Sequence, residues 1–232
     1  ARLDFLDLPD NSYLVVRYNY GSATSGALIR GATGTNPSLA LTSNQYQYAT
    51  KKNAPAIELR TNFQGGAYNE LMSSYTQVRD PRTSADGMRG PQVSVTIPGA
   101  TVIAGTERYS QGNAVDQDIM ELTDNLTLPF GSHTVVIGTQ NEFFKARNLY
   151  AQASAGVWTF DSLDSLRNGQ AYQYIVGVPA PGTGDGSVRF RTSTLSAYAQ
   201  DTWNATHNVT LTYGIRADVS RFANRPPTNP DI

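Results

Sequence analysis

Glu107, Asp116, Asp118, Glu121 and Asp124 crowd one stretch of the chain. Neighbouring carboxylates can do general acid–base work or, with loop spacing, hold calcium. Their spacing does not match a D-x-[DN]-x-[DN]-G calcium loop. In an extended chain, alternation puts Asp116, Asp118 and Asp124 on one side and Glu121 on the other. They therefore read as solvated rim or lumen charge. The two histidines, His133 and His207, sit beside turns, and the chain has no cysteine. Disulfides, thiolate metal sites and cysteine nucleophiles are excluded together, and no zinc site is expected. Gly182, Gly184 and Gly186 have no strand–helix unit around them, so they read as a surface loop, not a phosphate cradle. Asn125, Asn204 and Asn208 open Asn-x-Thr triplets, but in strands or tight turns. No catalytic residue, cofactor-binding residue or metal ligand is expected. The chain reads as a protein that performs no bond chemistry.

The elements that carry these residues announce themselves in the composition. Of 232 residues, 39% are apolar and 16% charged. A typical soluble domain has about 45–50% apolar and about 25% charged residues. Ser, Thr, Asn, Gln, Gly and Tyr fill the gap, with 13 Tyr against 2 Trp and 3 Met. The net charge of −1 supplies no basic field for nucleic acid. No apolar run reaches the roughly 18 residues of a spanning helix. That leaves a membrane β-barrel open, because barrel strands alternate in polarity and show no continuous apolar run. The opening Ala1-Arg2-Leu3-Asp4-Phe5 lacks the charged and apolar regions of a signal peptide, so the expectation is a cleaved leader or a start inside a longer protein.

Period-two alternation dominates the chain. In 209–219, Val209, Leu211, Tyr213, Ile215, Ala217 and Val219 share one side, and Thr210, Thr212, Gly214, Arg216 and Asp218 the other. Strands are predicted at 12–20, 54–63, 69–79, 116–128, 133–146, 189–203 and 209–219. Tight turns are predicted at Gly65-Gly66, at 129–132 and at 204–208. Between them lie long segments of about 21–53, 80–115 and 147–188. Loops beyond about 12–15 residues are uncommon in compact domains, and here they fall at every second connection. Outer-membrane barrels have that asymmetry, with short periplasmic turns and long extracellular loops. Smaller elements are predicted inside the long segments. They are a hairpin of 92–97 with 101–104 across Pro98-Gly99, strands at 157–160 and 171–178, and a helical turn at 161–168 capped by Asp161 and ended by Gly169.

Several predicted strands exceed the roughly 9–11 residues that cross a bilayer. The small outward residues Ala197, Ala199 and Ala217 suit lipid contact. Phe63, Trp203 and Tyr213, near strand ends, suit an interfacial aromatic girdle. Asp124 and Asp201 fall on apolar sides and count against a barrel unless both lie near an interface. The alternation also fits a soluble or cell-surface β-sandwich binding carbohydrate or protein, whose apolar faces would seal against a second sheet.

Residues 139–150 (TQNEFFKARNLY), 156–166 (GVWTFDSLDSL), 197–203 (AYAQDTW) and 211–216 (LTYGIR) resemble segments of Oar-like TonB-dependent outer-membrane receptors. The resemblance covers nearly the whole chain. It implies an all-β, antiparallel up-and-down meander forming part of a large transmembrane barrel of about 22 strands, in the bacterial outer membrane. It also implies active uptake of a scarce ligand (chelate, peptide or glycan) driven by an inner-membrane energy-coupling complex. About seven crossing strands are too few for the whole barrel. No plug domain and no coupling box is visible, and the chain does not end in an aromatic strand. The expectation is an internal portion of the barrel spanning 1–232. Its partners would be outer-membrane lipid, the TonB complex through the missing plug, and an unknown extracellular ligand; nucleic acid is not expected. The matched motifs are structural, so no ligand residue carries over. Tyr46, Tyr48, Tyr109, Trp158, Tyr172 and Tyr174, on the long segments, are the candidates for ligand contact or loop packing.

Overall fold

A computed structural model describes residues 1–29, 31–182 and 184–224. In chain order the elements are β1 (Arg2–Leu8), β2 (Ser12–Ala27), β3 (Ser38–Ala40), β4 (Tyr46–Asn62), β5 (Tyr68–Ser84), β6 (Gln92–Ile97) and β7 (Ala100–Gly105). There follow β8 (Asn113–Phe130), β9 (His133–Tyr150), β10 (Val157–Phe160), α1 (Leu163–Arg167), β11 (Gln173–Ile175), β12 (Val188–Thr206) and β13 (Val209–Phe222). Eight of these strands form one antiparallel meander in the order β1-β2-β4-β5-β8-β9-β12-β13. The remaining five form a second sheet in the order β11-β10-β6-β7-β3.

Register converts the alternation into two faces. Leu14, Leu59, Leu71 and Asp124 align across β2, β4, β5 and β8, and Thr139, Ala197 and Ala217 continue the row through β9, β12 and β13. The flanking row holds Val16, Ile57, Ser73, Leu122, Asn141, Leu195 and Val219. This mostly apolar face is open across its width: Leu3 is 60% exposed, Ile57 51%, Val219 50% and Ile215 77%. The opposite face is polar, yet it carries most of the sheet's shielded side chains, among them Val15, Glu58, Ser84, Thr127, Ala146 and Ser196. A soluble sandwich would reverse that relation. The β-sandwich alternative fails because, among the described residues, no partner layer covers the apolar side. The arrangement is that of a barrel wall, with apolar side chains toward lipid and polar side chains toward a lumen.

The strands outrun their sequence-based bounds. β2 to β12 within the large sheet are 16 to 19 residues long. They exceed the crossing length of about 9–11 residues by roughly 5–10. The predicted long segments shrink accordingly to 28–45, 85–112 and 151–187. Polar ends such as Lys52 to Gly21 and Asp116 to Arg147 pair as strand although they have no apolar alternation. Backbone ladder bonds hold these ends outside the membrane, where side-chain polarity exacts no penalty.

Short turns join the other rim. Gly65 and Gly66 take φ of 81° and 85°, which only glycine adopts freely. The 129–132 turn narrows to Gly131-Ser132, and the 204–208 turn to His207-Asn208, with a bulge on β12 between Asn204 and Thr206. A further short turn, Pro9–Asn11, joins β1 to β2. β1 was not anticipated, and it covers part of one side of the predicted 12–20 strand. Arg2 to Phe5 pairs with Leu14 to Arg17, so only the upper part of β2 is bare on that side. The opposite edge, β13, has no neighbour beyond β12 among the described residues and does not pair with β1.

Candidate functional site

The second sheet is assembled from all three long connections. The predicted hairpin forms as β6 and β7 with a tight turn at Pro98-Gly99. β3 from the first connection docks in parallel on β7, Ser38 to Ala40 against Thr101 to Ile103. β10 from the third docks in parallel on β6, Val157 to Phe160 against Gln92 to Val95. β11 then closes on β10, so the predicted 171–178 strand survives only as Gln173–Ile175. α1 lies against β6 and β10. Its N-cap is Ser162, not the expected Asp161: Ser162 Oγ accepts from Ser165 N at 3.0 Å, and Ser165 Oγ completes a capping box at 3.1 Å from Ser162 N. A hydroxyl one residue further on reaches the third helical amide, as the box requires. Gly169, at φ 65°, ends the helix as expected.

A buried polar cluster locks the connections to one another. Gln92 Oε1 accepts from the Arg108 amide at 2.9 Å and from Asn44 Nδ2 at 3.4 Å. Asn44 Nδ2 also donates to the Gly105 carbonyl at 3.1 Å. Gln111 donates to the Gly156 carbonyl and accepts from the Ala155 amide, tying the second connection to the third. Glu107, first of the five carboxylates, is buried here and accepts from the Ser110 hydroxyl at 2.7 Å, with Arg82 at 3.5 Å.

The remaining carboxylates occupy the two faces predicted for them. Asp116 and Asp118 point outward above the apolar band and pair with Arg79 and Arg147. Glu121 points inward and accepts from the Ser74 hydroxyl. Asp124 accepts from Asn69 Nδ2 at 2.7 Å on the outer face, a short distance from the turn rim. Asp201 lies at that rim, where His133 at 2.6 Å and the Tyr213 hydroxyl at 2.7 Å meet the same carboxylate oxygen. Phe130, His133 and Trp203 stack beside it with centroid spacings of 5.5 Å. Trp203 and Tyr213 are two of the expected girdle residues, and Phe130 and His133 join Trp203 without having been anticipated. Among the described residues no group of His, Asp or Glu converges in a way that could hold a metal ion.

The six aromatic candidates separate into two roles. Arg82 stacks 3.5 Å over the Tyr46 ring and 5.6 Å from Tyr48, which meets Tyr46 edge-on. Tyr109 is covered by Arg108 at 5.0 Å. These three are braced by arginines, although Tyr48 and Tyr109 stay part-exposed. Trp158 and Tyr174 are opposite one another on β10 and β11, with ring centroids 4.1 Å apart. Both remain part-exposed, and Tyr172 on the same edge is 76% exposed. They form the aromatic surface that the loop sheet offers to solvent.

The inner face is laced with charge. Arg17 and Arg60 both pair with Glu58, and Arg60 also reaches Glu70 at 2.6 Å and the Tyr13 hydroxyl at 2.7 Å. A cleft of about 250 Å³ opens beside them, lined by Val15, Arg17, Glu58, Met72, Ser74 and Glu121. Further along, Tyr198 lies across Gly138 and donates to Asn125, with Arg216 over its ring at 5.4 Å. A family model described as an outer membrane beta barrel domain matches residues 1–229. No curated protein and no solved structure matches the chain.

Proposed function

The chain belongs to the outer membrane beta barrel domain family, and from that premise we propose that it serves as part of the wall of an energy-coupled uptake receptor of the TonB-dependent, Oar-like kind. It lies in the bacterial outer membrane with its short turns toward the periplasm and its loop sheet outside. It captures a scarce ligand and passes it inward without making or breaking bonds. The observation that carries this reading is the loop sheet. A passive pore needs only loops that stay out of its way. Here three connections are interlocked by parallel strand pairs and buried Gln92 and Asn44 into one rigid platform. A rigid platform presenting Trp158, Tyr172 and Tyr174 is suited to holding a ligand, because stiff aromatics supply contact area at low entropic cost. The ion-paired inner face offers charged partners to a plug that links the barrel to the inner-membrane energy source. The four resembling segments support the same assignment.

The test is growth and uptake in cells carrying or lacking the gene, with a chelated metal, a peptide or a glycan as the limiting nutrient. The proposal expects a ligand-specific defect that dissipating the proton-motive force reproduces in wild-type cells. Trp158→Ala should weaken ligand binding by up to about tenfold, the value of one good aromatic contact. Uptake that persists without the proton-motive force would overturn energy coupling and leave a passive channel.

A further inference from the structure

We propose that the outer face of β9, β12 and β13, just above the apolar band, binds the phosphate groups of a phosphorylated glycolipid in the outer leaflet. Two successive outward rows cross β9 and β12 at this level, and each sets two cations directly opposite one another: Lys145 against Arg191, then Arg147 against Arg189. Like charges facing across a strand pair destabilise it. The fold neutralises the second pair itself. Asp185 reaches back from the third connection and accepts from Arg147 at 2.8 Å and from Arg189 at 2.9 Å. Among the described residues nothing comparable bridges the first pair. Asp118, across from Lys145 on its other side, is held by Arg79 at 2.7 Å and by the Tyr75 hydroxyl at 2.9 Å. Among the described residues Lys145 and Arg191 have no ion pair, and Arg221 on β13 stands diagonal to Arg191, equally without one. Lys145, Arg189 and Arg191 line a cleft of about 340 Å³.

Position identifies the ligand. One outward step toward the membrane from Lys145 is Phe143, from Arg191 Ser193 and then Leu195, and from Arg221 Val219. The cations therefore sit where acyl chains give way to headgroups. An anion arriving on a lipid there is delivered with its acyl chains against the apolar band, and a basic cluster at that level gains about fivefold in affinity per cation.

The chain in detergent micelles, titrated with bis-phosphorylated lipid A and followed by native mass spectrometry, tests this. Lys145→Gln and Arg191→Gln should each weaken binding about fivefold, while Lys145→Arg retains it. Lys52→Gln, on the inner face, should change nothing. The urea midpoint in detergent should hold or rise in Arg191→Gln, because a repulsion has been removed, and should rise less in Lys145→Gln, which also loses the attraction to Asp118. Lipid A stripped of phosphate should bind equally weakly to wild type and variants. The proposal is overturned if dephosphorylated lipid A binds wild type as well as the phosphorylated form does. It is overturned also if Lys52→Gln costs as much as Arg191→Gln, or if inorganic phosphate alone displaces the lipid and so places the ligand in solution.

Discussion

Single positions show how far alternation can be read and where it stops. Asp124 and Asp201 break the apolar pattern, and their place in the sequence near turns already pointed to the rim. Their partners, Asn69 on β5 for one and His133 on β9 for the other, come from strands whose register no local pattern reveals. Gly138 is a clearer instance. Nothing around it in sequence suggests a constraint, yet a Cβ there would meet the Tyr198 ring at 2.6 Å and Asn125 Oδ1 at 2.5 Å. The ring covers the bare backbone of a strand glycine, so Gly138→Ala must push Tyr198 off Asn125. We expect a loss of about 1–3 kcal/mol, the usual cost of overfilling a packed site, read from urea unfolding in detergent. Gly21→Ala, where the nearest foreign atom is 3.8 Å away, should be close to neutral. Asp185 gives a pH-dependent case in the third long connection. Hydrogen bonds from the Ser187 hydroxyl and the Arg147 guanidinium, joined by the Ser187 amide and Arg189, hold its carboxyl well below the usual carboxylate range. A depressed folded value means that its contribution is complete above the ordinary carboxylate value of about 3.9 and is lost as pH falls through the folded one. At matched pH, exchange of the Ser187 amide, which donates to Asp185, should therefore be slower in wild type than in Asp185→Asn, and that difference should persist as pH drops through the ordinary carboxylate range.

At the level of elements, the strands that alternate over many residues were legible, and those defined only by their neighbours were not. β8, β9, β12 and β13 were all recognisable, but each runs beyond its apolar pattern because ladder bonds continue after lipid contact ends. β1 carries Leu3 and Phe5 against Arg2 and Asp4, a usable alternation hidden by its shortness and by the bulge between Phe5 and Leu8. β3 has three residues and pairs in parallel with a hairpin about sixty positions away. Short non-local pairings of that kind leave no periodic trace. The loop sheet is therefore the part of the candidate site that the sequence hid, although its hairpin, its β10 strand and its helical turn were each readable. Gln92 is the joint that tests whether the connections behave as one unit. Gln92→Leu strands the Arg108 amide and the Asn44 side chain without their shared acceptor, at a cost of about 1–3 kcal/mol. Hydrogen exchange should then accelerate together in 38–44, 92–105 and 157–160 while β8 and β9 keep their protection. Loosening confined to 92–97 would mean that the three connections are independent.

For the whole molecule, the decisive relation is that the polar face is the more shielded one and the apolar face the more open. Such a sheet has no stable arrangement in water. Its apolar face seeks hydrocarbon, and the bare edges of β13 and of the upper part of β2 seek further strands. In plain buffer the chain should aggregate, and detergent should disperse it; a monomer unfolding cooperatively without detergent would contradict the barrel wall. Solubility alone does not say which face meets lipid, and a matched pair of substitutions does. Ile215 lies mid-band on β13 and is 77% exposed on the outer side, while Thr212 points to the inner side of the same strand. A lysine at the bilayer midplane costs about 2–4 kcal/mol on the lipid side and little in a wet lumen. Ile215→Lys should therefore lower the urea midpoint of the chain reconstituted in vesicles by that amount, and Thr212→Lys should leave it nearly unchanged. Equal effects would mean that both faces are wet or both covered, and the polarity of β13 would then have some origin other than a membrane.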